Sequence, residues 1–190
     1  MKRICIKNLP EAGELLYSEL QNGFYMEAAE GTSIRSFLTN SCGIPESYIK
    51  DKIKTIFHNN NPVDSLDSVK VSNGSVCAVS GAMPGLVGAM MRMGSPYASM
   101  RESITEKGED ISATGKTVFV KLKLFNVILG DLGQGFISGG VIFDRDDVVR
   151  IINKIAVKHG SSFSFKVDDL SFNSSKSGKL SDEKYIIKSI

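Results

Sequence analysis

The chain is poor in the side chains that build metal centres and disulfide frameworks. Its 190 residues include only three cysteines and two histidines. Cys5, Cys42 and Cys77 are odd in number and far apart, which predicts reduced thiols in the cytoplasm rather than disulfides. His58 and His159 have no cysteine or carboxylate at metal-ligand spacing, so the sequence predicts no metal site.

An excess of charge of one sign is lacking as well. The net charge is +2, and the lysines are scattered among acids without a basic stripe interleaved with aromatic residues, which argues against nucleic acid as a partner. Residues 1–16 contain no apolar run of the signal-peptide type. Residues 76–100 are the one membrane candidate by length, but Arg92, two prolines and four glycines argue against a span. We therefore expect a soluble cytoplasmic protein.

The chain is rich in methionine and glycine in one place, residues 79–101. This stretch holds five of the seven methionines and has a single charge, Arg92, before its last residue. Linkers are polar, so this stretch is predicted to bury its large side chains against its own core, a partner or a ligand. Leu86, Val87, Met90 and Met91 are expected to be mostly buried, either between the two halves of the chain or at a subunit seam. The candidate interface or pocket residues are Leu86, Val87, Met90, Met91, Met93, Tyr97 and Phe136.

The N-terminal part of the chain reads as two strands, a helix and two further strands. Alternating side chains predict strands over 2–7 and 24–28. Thr32 or Ser33 is suited to cap a helix that Gly43 ends, with an apolar face at positions 34, 37, 38 and 42. Strands over 55–58 and 75–79 follow, separated by turns at 59–62 and 73–74.

This element order, together with three short motifs, resembles the β-grasp sulfur carriers, namely the molybdopterin-synthase small subunit and the thiamine sulfur carrier. The motifs are Glu30-Gly31-Thr32 at the helix start, FHNNNPV at 57–63 and KVSNGSV at 70–76. The resemblance covers residues 1–81 and implies that the first and last strands are parallel neighbours under one helix. The carriers end in a free Gly-Gly carboxylate, whereas Ser80-Gly81 stands here and more than half of the chain follows. Sulfur chemistry would therefore need cleavage after Gly81.

The rest of the chain predicts a second small unit. The sequence indicates a long strand over 117–129, a turn-rich stretch over 130–140 and strands over 162–167 and 185–190, the last at an edge. Acids at one end of 144–159 and bases at the other predict a helix aligned with its dipole, which we expect to pack on the strands over 117–129 and 162–167. The fold class is therefore α+β, with a β-grasp-like domain at 1–81, an apolar connecting segment and loop at 82–114, and an α+β domain at 115–190.

None of the motifs that suggest chemistry meets its structural requirement. Gly115-Lys116-Thr117 lacks the P-loop spacing and precedes a strand. Residues 133–139 resemble a dinucleotide loop but open no predicted helix, so a tight turn between strands is favoured. A dyad of Cys77 with His58 lacks a third group and an oxyanion hole. We predict no catalytic residues, no cofactor and no metal.

Three functions stay open from the sequence. The favoured one is a non-enzymatic binding or assembly module, in which residues 82–101 contact a second copy of the chain or another protein. The second is an enzyme or ligand-binding protein with a pocket between the two halves. The third is a carrier precursor that is cleaved after Gly81.

Overall fold

The computed structural model describes residues 2–6, 12–108, 111–159, 164–167, 170–173 and 183–189. These residues form two compact units. The inserted unit comprises residues 25–129. The split unit is assembled from residues 1–24 and 130–190, on either side of it in the sequence. The α+β class predicted from the sequence is confirmed.

The described strands, in chain order, are β1 Lys2–Ile6, β2 Phe24–Ala29, β3 Thr55–His58, β4 Asn61–Pro62, β5 Val76–Ser80, β6 Thr117–Leu124, β7 Val141–Asp144, β8 Ser164–Val167, β9 Leu170–Asn173 and β10 Lys184–Ser189. The described helices are α1 Ala12–Asn22, α2 Ile34–Ser36 with a π-helical continuation over Phe37–Ser41, α3 Glu46–Lys52, α4 Gly85–Met91, a 3-10 helix over Ala98–Ile104, α5 Asn126–Gly139 and α6 Arg145–His159.

The inserted unit is built on strands in the order β4-β3-β5-β6-β2. β3 pairs antiparallel with β5, and β5 pairs parallel with β6. The helix predicted at position 33 is present, and the structure selects Ser33 as its cap, because the Ser33 hydroxyl accepts a hydrogen bond from Ser36 N at 3.2 Å. Its predicted inward residues Ile34, Phe37 and Leu38 are fully buried.

The split unit has strands in the order β7-β10-β1-β8-β9. β1 pairs parallel with β10 on one side and antiparallel with β8 on the other. Both edges of β1 are therefore occupied, and the expectation from the β-grasp resemblance that β1 and β5 are neighbours is wrong. The neighbours of β5 are β3 and β6. The predicted domain boundaries at 81 and 115 also do not coincide with the two units.

Two predictions about elements that follow residue 117 are wrong. The strand predicted over 117–129 ends at Leu124, and residues 126–139, predicted to be strand and turn, form helix α5. The glycines compared with a dinucleotide loop therefore lie inside this helix. The last strand was expected at an edge, but β10 lies between β7 and β1.

Helix α6 confirms the clearest prediction from the sequence. It begins one residue after the predicted start and packs on β7, β10 and α1. The sequence instead predicted contact with strands over 117–129 and 162–167. Four aliphatic side chains of α6 are fully buried, namely Val148, Ile151, Ile152 and Ile155.

Candidate functional site

One buried arginine fastens the central segment, residues 82–104, to the inserted unit. Arg101 is only 2% exposed, and its guanidinium forms a bidentate pair with Asp64, with Nη2–Oδ1 at 2.6 Å and Nη1–Oδ2 at 3.0 Å. Nε donates to the carbonyl of Met90 at 2.6 Å, and Nη1 donates to the Thr105 hydroxyl at 2.7 Å. The planar guanidinium thus ties the end of α4 and the end of the 3-10 helix to the loop that carries Asp64.

The sequence showed Arg101 only as the last residue of an apolar stretch. Its partner Asp64 lies 37 positions earlier in a stretch without regular periodicity. A lone arginine that follows many apolar residues was the one available signal, but spacing along the chain does not identify a tertiary partner. The central segment is additionally held by a backbone hydrogen bond from Met93 N to Lys54 O at 2.9 Å.

The predicted site residues on the central segment differ in how much of each residue is exposed to solvent. Leu86 and Val87 are 61% and 66% exposed, so of the three possibilities that the sequence left open, the chain's own core does not cover them. Tyr97 is also exposed. Met90, Met91 and Met93 are half-buried.

The seventh predicted residue, Phe136, belongs to the split unit. Its ring lies 5.1 Å from that of Phe24, centroid to centroid, in a tilted arrangement of the kind that aromatic pairs favour. Two residues that the sequence did not single out, Met100 and Ile104 on the 3-10 helix, join the exposed apolar side chains at 64% and 47% exposure.

A polar cluster that contains His58 is buried beneath the β3–β4 hairpin. His58 Nε2 lies 3.2 Å from the hydroxyl of Ser75, and His58 Nδ1 lies 3.7 Å from Glu106 Oε2. Glu106 Oε2 also accepts a hydrogen bond from Asn61 Nδ2 at 3.3 Å, and the backbone amide of Glu106 donates to Pro62 O. Ser75 Oγ accepts from Ser72 N at 3.0 Å.

This serine–histidine–glutamate arrangement has the residue types of a hydrolytic triad, but the 3.7 Å between His58 and Glu106 is longer than a hydrogen bond, and the serine lacks access. Ser75 is 3% exposed and His58 is 6% exposed. A nucleophile needs room beside it for the reacting carbonyl and for donors to the oxyanion. We therefore interpret the cluster as a structural anchor that joins the hairpin, the 72–75 turn and the chain that follows the central segment.

The structure also shows how Cys77 lies relative to His58, the two residues considered as a dyad from the sequence. The two residues are register partners on β5 and β3, as the idea required. Burial raises the pKa of the Cys77 thiol to about 12. Because the thiolate is the nucleophilic form, Cys77 is inert near neutral pH.

The split unit contains a buried carboxylate of its own. Glu19 on α1 is 1% exposed and accepts hydrogen bonds from Arg150, at 2.6 Å, and from Lys154, both on α6. Burial raises the pKa of Glu19, but the hydrogen bonds and charges of Arg150 and Lys154 outweigh it and hold the pKa below the ordinary value of 4.5. The cluster therefore links α1 to α6.

We predict that Glu19→Gln lowers the free energy of unfolding by about 1–3 kcal/mol near neutral pH, the usual contribution of hydrogen bonds to charged groups. A lowered folded pKa stabilises above the unfolded value of 4.5 and loses that contribution as the pH falls through the folded pKa. The difference between Glu19→Gln and wild type should shrink over that acidic range in urea titrations. The exposed Glu27 gives the control, with Glu27→Gln within about 0.5 kcal/mol. A loss that is the same at all pH values contradicts the assignment.

The described residues form neither a metal-binding cluster nor a membrane-spanning helix. No group of three or more histidine, cysteine, aspartate or glutamate side chains there is arranged to hold a metal ion. No helix among them has the length and apolar character needed to cross a membrane.

The interpretation of the site rests on its geometry, because comparison with known proteins gives no match. Protein-family models, curated proteins and solved structures were compared with the chain, and none matches. The fold and the site define an α+β protein in which Arg101 holds the central segment in place and several apolar side chains of that segment are exposed to solvent.

Proposed function

We propose that this protein is a non-enzymatic assembly module in which the central segment binds the same segment of a second copy of the chain. The observation that carries the proposal is the set of five large, exposed apolar side chains on this one segment. They are Leu86, Val87, Tyr97, Met100 and Ile104. Helix α4 and the 3-10 helix, which carry four of them, contact each other, so these side chains are carried by neighbouring elements.

The central segment is suited to association because it is already ordered. Arg101 and the Met93–Lys54 backbone hydrogen bond hold it in place. A preformed surface loses less conformational entropy on binding than a flexible one. Monomeric proteins seldom expose several large apolar side chains together, so such a surface marks an interaction site.

The charge of the segment favours a second copy as the partner. Its charged residues are Arg92, Arg101 and Glu102, and Arg101 is neutralised by Asp64. Arg92 and Glu102 then balance each other. A surface without net charge does not repel its own copy in an isologous contact, and it gives no steering toward a strongly charged partner.

A matched pair of substitutions tests the assembly. Val87 on α4 and Val157 on α6 are both exposed, at 66% and 89%. In sedimentation equilibrium we expect the average mass of wild type and of Val157→Asp to rise from one chain toward two as concentration increases. Val87→Asp should remain at the mass of one chain, because its charge would be desolvated without a partner in the contact. A wild type that stays at the mass of one chain, or a Val87→Asp variant that associates like Val157→Asp, overturns the proposal.

Of the alternatives, the cleaved carrier precursor receives no structural support. Gly81 is buried, and its backbone amide donates to the side chain of Asn126 at 2.9 Å. A protease needs an exposed, locally unfolded backbone. A cytoplasmic location stays a prediction from the cysteine content.

A further inference from the structure

An apolar groove runs over the open face of the sheet in the inserted unit. On β3, β5 and β6, one set of alternating side chains is buried in the core. On the opposite face Phe57, Val76 and Ala78 are half-buried, whereas Thr55 and Ser80 at one end are buried. Phe57, Ala78 and Lys123 occupy one row across the three strands, because Phe57 pairs with Ala78 and Ala78 pairs with Lys123. Together with Val76 they form the floor of a groove of about 600 Å³.

One end of the groove is closed by residues that follow β5 and β6. Met83 and Phe125 supply the apolar part of this end, and Asn126 supplies the polar part. The Asn126 amide donates to Ser80 Oγ at 2.7 Å, and its oxygen accepts from Gly81 N at 2.9 Å. These contacts hold Asn126 at φ +45°, a left-handed conformation that few side chains other than asparagine tolerate. The end wall is therefore fixed before any ligand arrives.

The lining selects a ligand with one negative charge. Lys123 is the one charged residue among the described residues that line the groove. The neighbouring lysine on the same strand, Lys121, instead sits 5.3 Å from the centre of the Tyr25 ring. Ser80 and Asn126 bond to each other, so the polar side chains left to face a ligand are the Lys123 ammonium, which is the charged one, and the Asn60 amide.

We propose that this groove is a binding site for a small amphiphilic carboxylate, whose apolar chain lies on Phe57, Val76 and Ala78 and whose carboxylate pairs with Lys123. The volume falls within the roughly 300–1,000 Å³ of small-molecule sites, which are mainly apolar with a few polar groups that fix orientation. The apolar floor alone would accept any hydrocarbon chain. The lysine adds a preference for a chain with an anionic end.

Decanoate and 1-decanol are matched probes for this site, since they share a chain length and differ in charge. For decanoate we expect saturable calorimetric binding with a Kd of ~10 µM to 1 mM, as suits a ligand of this size. 1-Decanol should bind several-fold more weakly. Methyl signals of Met83 should shift on titration in NMR spectra, whereas those of Met26 on β2 report any general effect on the protein.

Two lysine variants test the charge pair. Lys123→Met keeps the apolar stem and should weaken decanoate about five- to tenfold without changing the affinity for 1-decanol, as expected for a half-exposed ion pair. Lys121→Met makes the same change in net charge on the same strand and should alter both affinities by less than about twofold. Equal losses in the two variants mean general electrostatic attraction and overturn the site.

A third variant tests the groove itself. Ala78→Phe fills the floor and should abolish binding of both probes while the melting temperature stays near that of wild type, because the side chain faces outward. The absence of saturable binding to wild type, or full binding to a folded Ala78→Phe variant, contradicts the proposal. Lys123, Lys121 and Ala78 all lie outside the central segment, so the variants that test the groove and the Val87→Asp variant that tests assembly can fail separately.

Discussion

Ile152→Asp should prevent the split unit from folding. Ile152 is fully buried on the face of α6 that packs against β7, β10 and α1. The positions one turn away, Val148 and Ala156, are apolar, so an aspartate at 152 finds no cation on its own helix. Burying an unpaired carboxylate costs several kcal/mol even after its pKa adjusts, which is comparable to the ~5–15 kcal/mol that stabilises an ordinary domain.

The measurement is hydrogen exchange together with thermal melting of the purified variant. Amides of β7 and β10 should lose their protection, and the melting transition of the split unit should disappear. Val157→Asp, on the exposed side of the same helix, introduces the same residue and should cost less than about 1 kcal/mol. Ile152→Ala should give a graded loss of about 2–5 kcal/mol. A wild-type melting curve for Ile152→Asp would show that α6 does not pack as described.

Asp64→Asn should lower the free energy of unfolding of the inserted unit by about 3 kcal/mol. The Arg101 side chain is 1% exposed, so removing its counter-charge leaves a buried, uncompensated cation. Breaking a buried pair in this way costs ~3–5 kcal/mol. We expect the lower end of that range, because the side chain of Asp64 is 36% exposed and water reaches it.

A double-mutant cycle separates the ion pair from the other contacts of Arg101. Arg101→Met should cost about 2 kcal/mol less in the Asp64→Asn background than in wild type, since the charge has already lost its partner. Methyl NMR signals of the methionines in the central segment should broaden in both single variants as the segment detaches. Additive losses in urea denaturation would mean that Asp64 and Arg101 do not act as a pair.

The parts of the fold that depend on local patterns could be predicted from the sequence. Helix α6 was predictable because acids at its start and lysines at its end match the helix dipole. The turn after β3 was predictable because asparagine tolerates positive φ, and Asn59 and Asn60 adopt φ of 48° and 72°. The helix cap at Ser33 follows the same local chemistry.

Helix α5 was missed because tertiary contacts override its weak propensity. Four glycines, at 130, 133, 135 and 139, argue against a helix over this stretch. Gly133, however, lies against Tyr17 and Leu20 of α1, and a Cβ at 133 would come within 3.0 Å of the Tyr17 ring. The glycine is needed where the two helices approach closely, which spacing along the chain does not reveal.

The candidate site could be predicted only in part from the sequence, because it also depends on tertiary contacts. Methionine content and low charge identified the central segment, but its orientation depends on the pairing of Arg101 with Asp64. The groove was not identified, because its floor consists of outward-facing side chains from three strands that are distant in sequence.

The position of β10 between β7 and β1 sets an order of events during synthesis. Lys2 on β1 pairs with Tyr185 on β10, so the chain must leave the ribosome as far as residue 185 before β1 gains this partner. Residues 25–129 emerge much earlier, and they form a compact unit by themselves. We expect the inserted unit to fold co-translationally, before β1 and α1 are incorporated into a sheet with β10. Closing so long a loop is slow, and it gives no stabilisation until β10 is available to pair. A chain stalled shortly before residue 184 should thus carry one finished unit and an aggregation-prone pair of unpaired strand edges, those of β1 and β7.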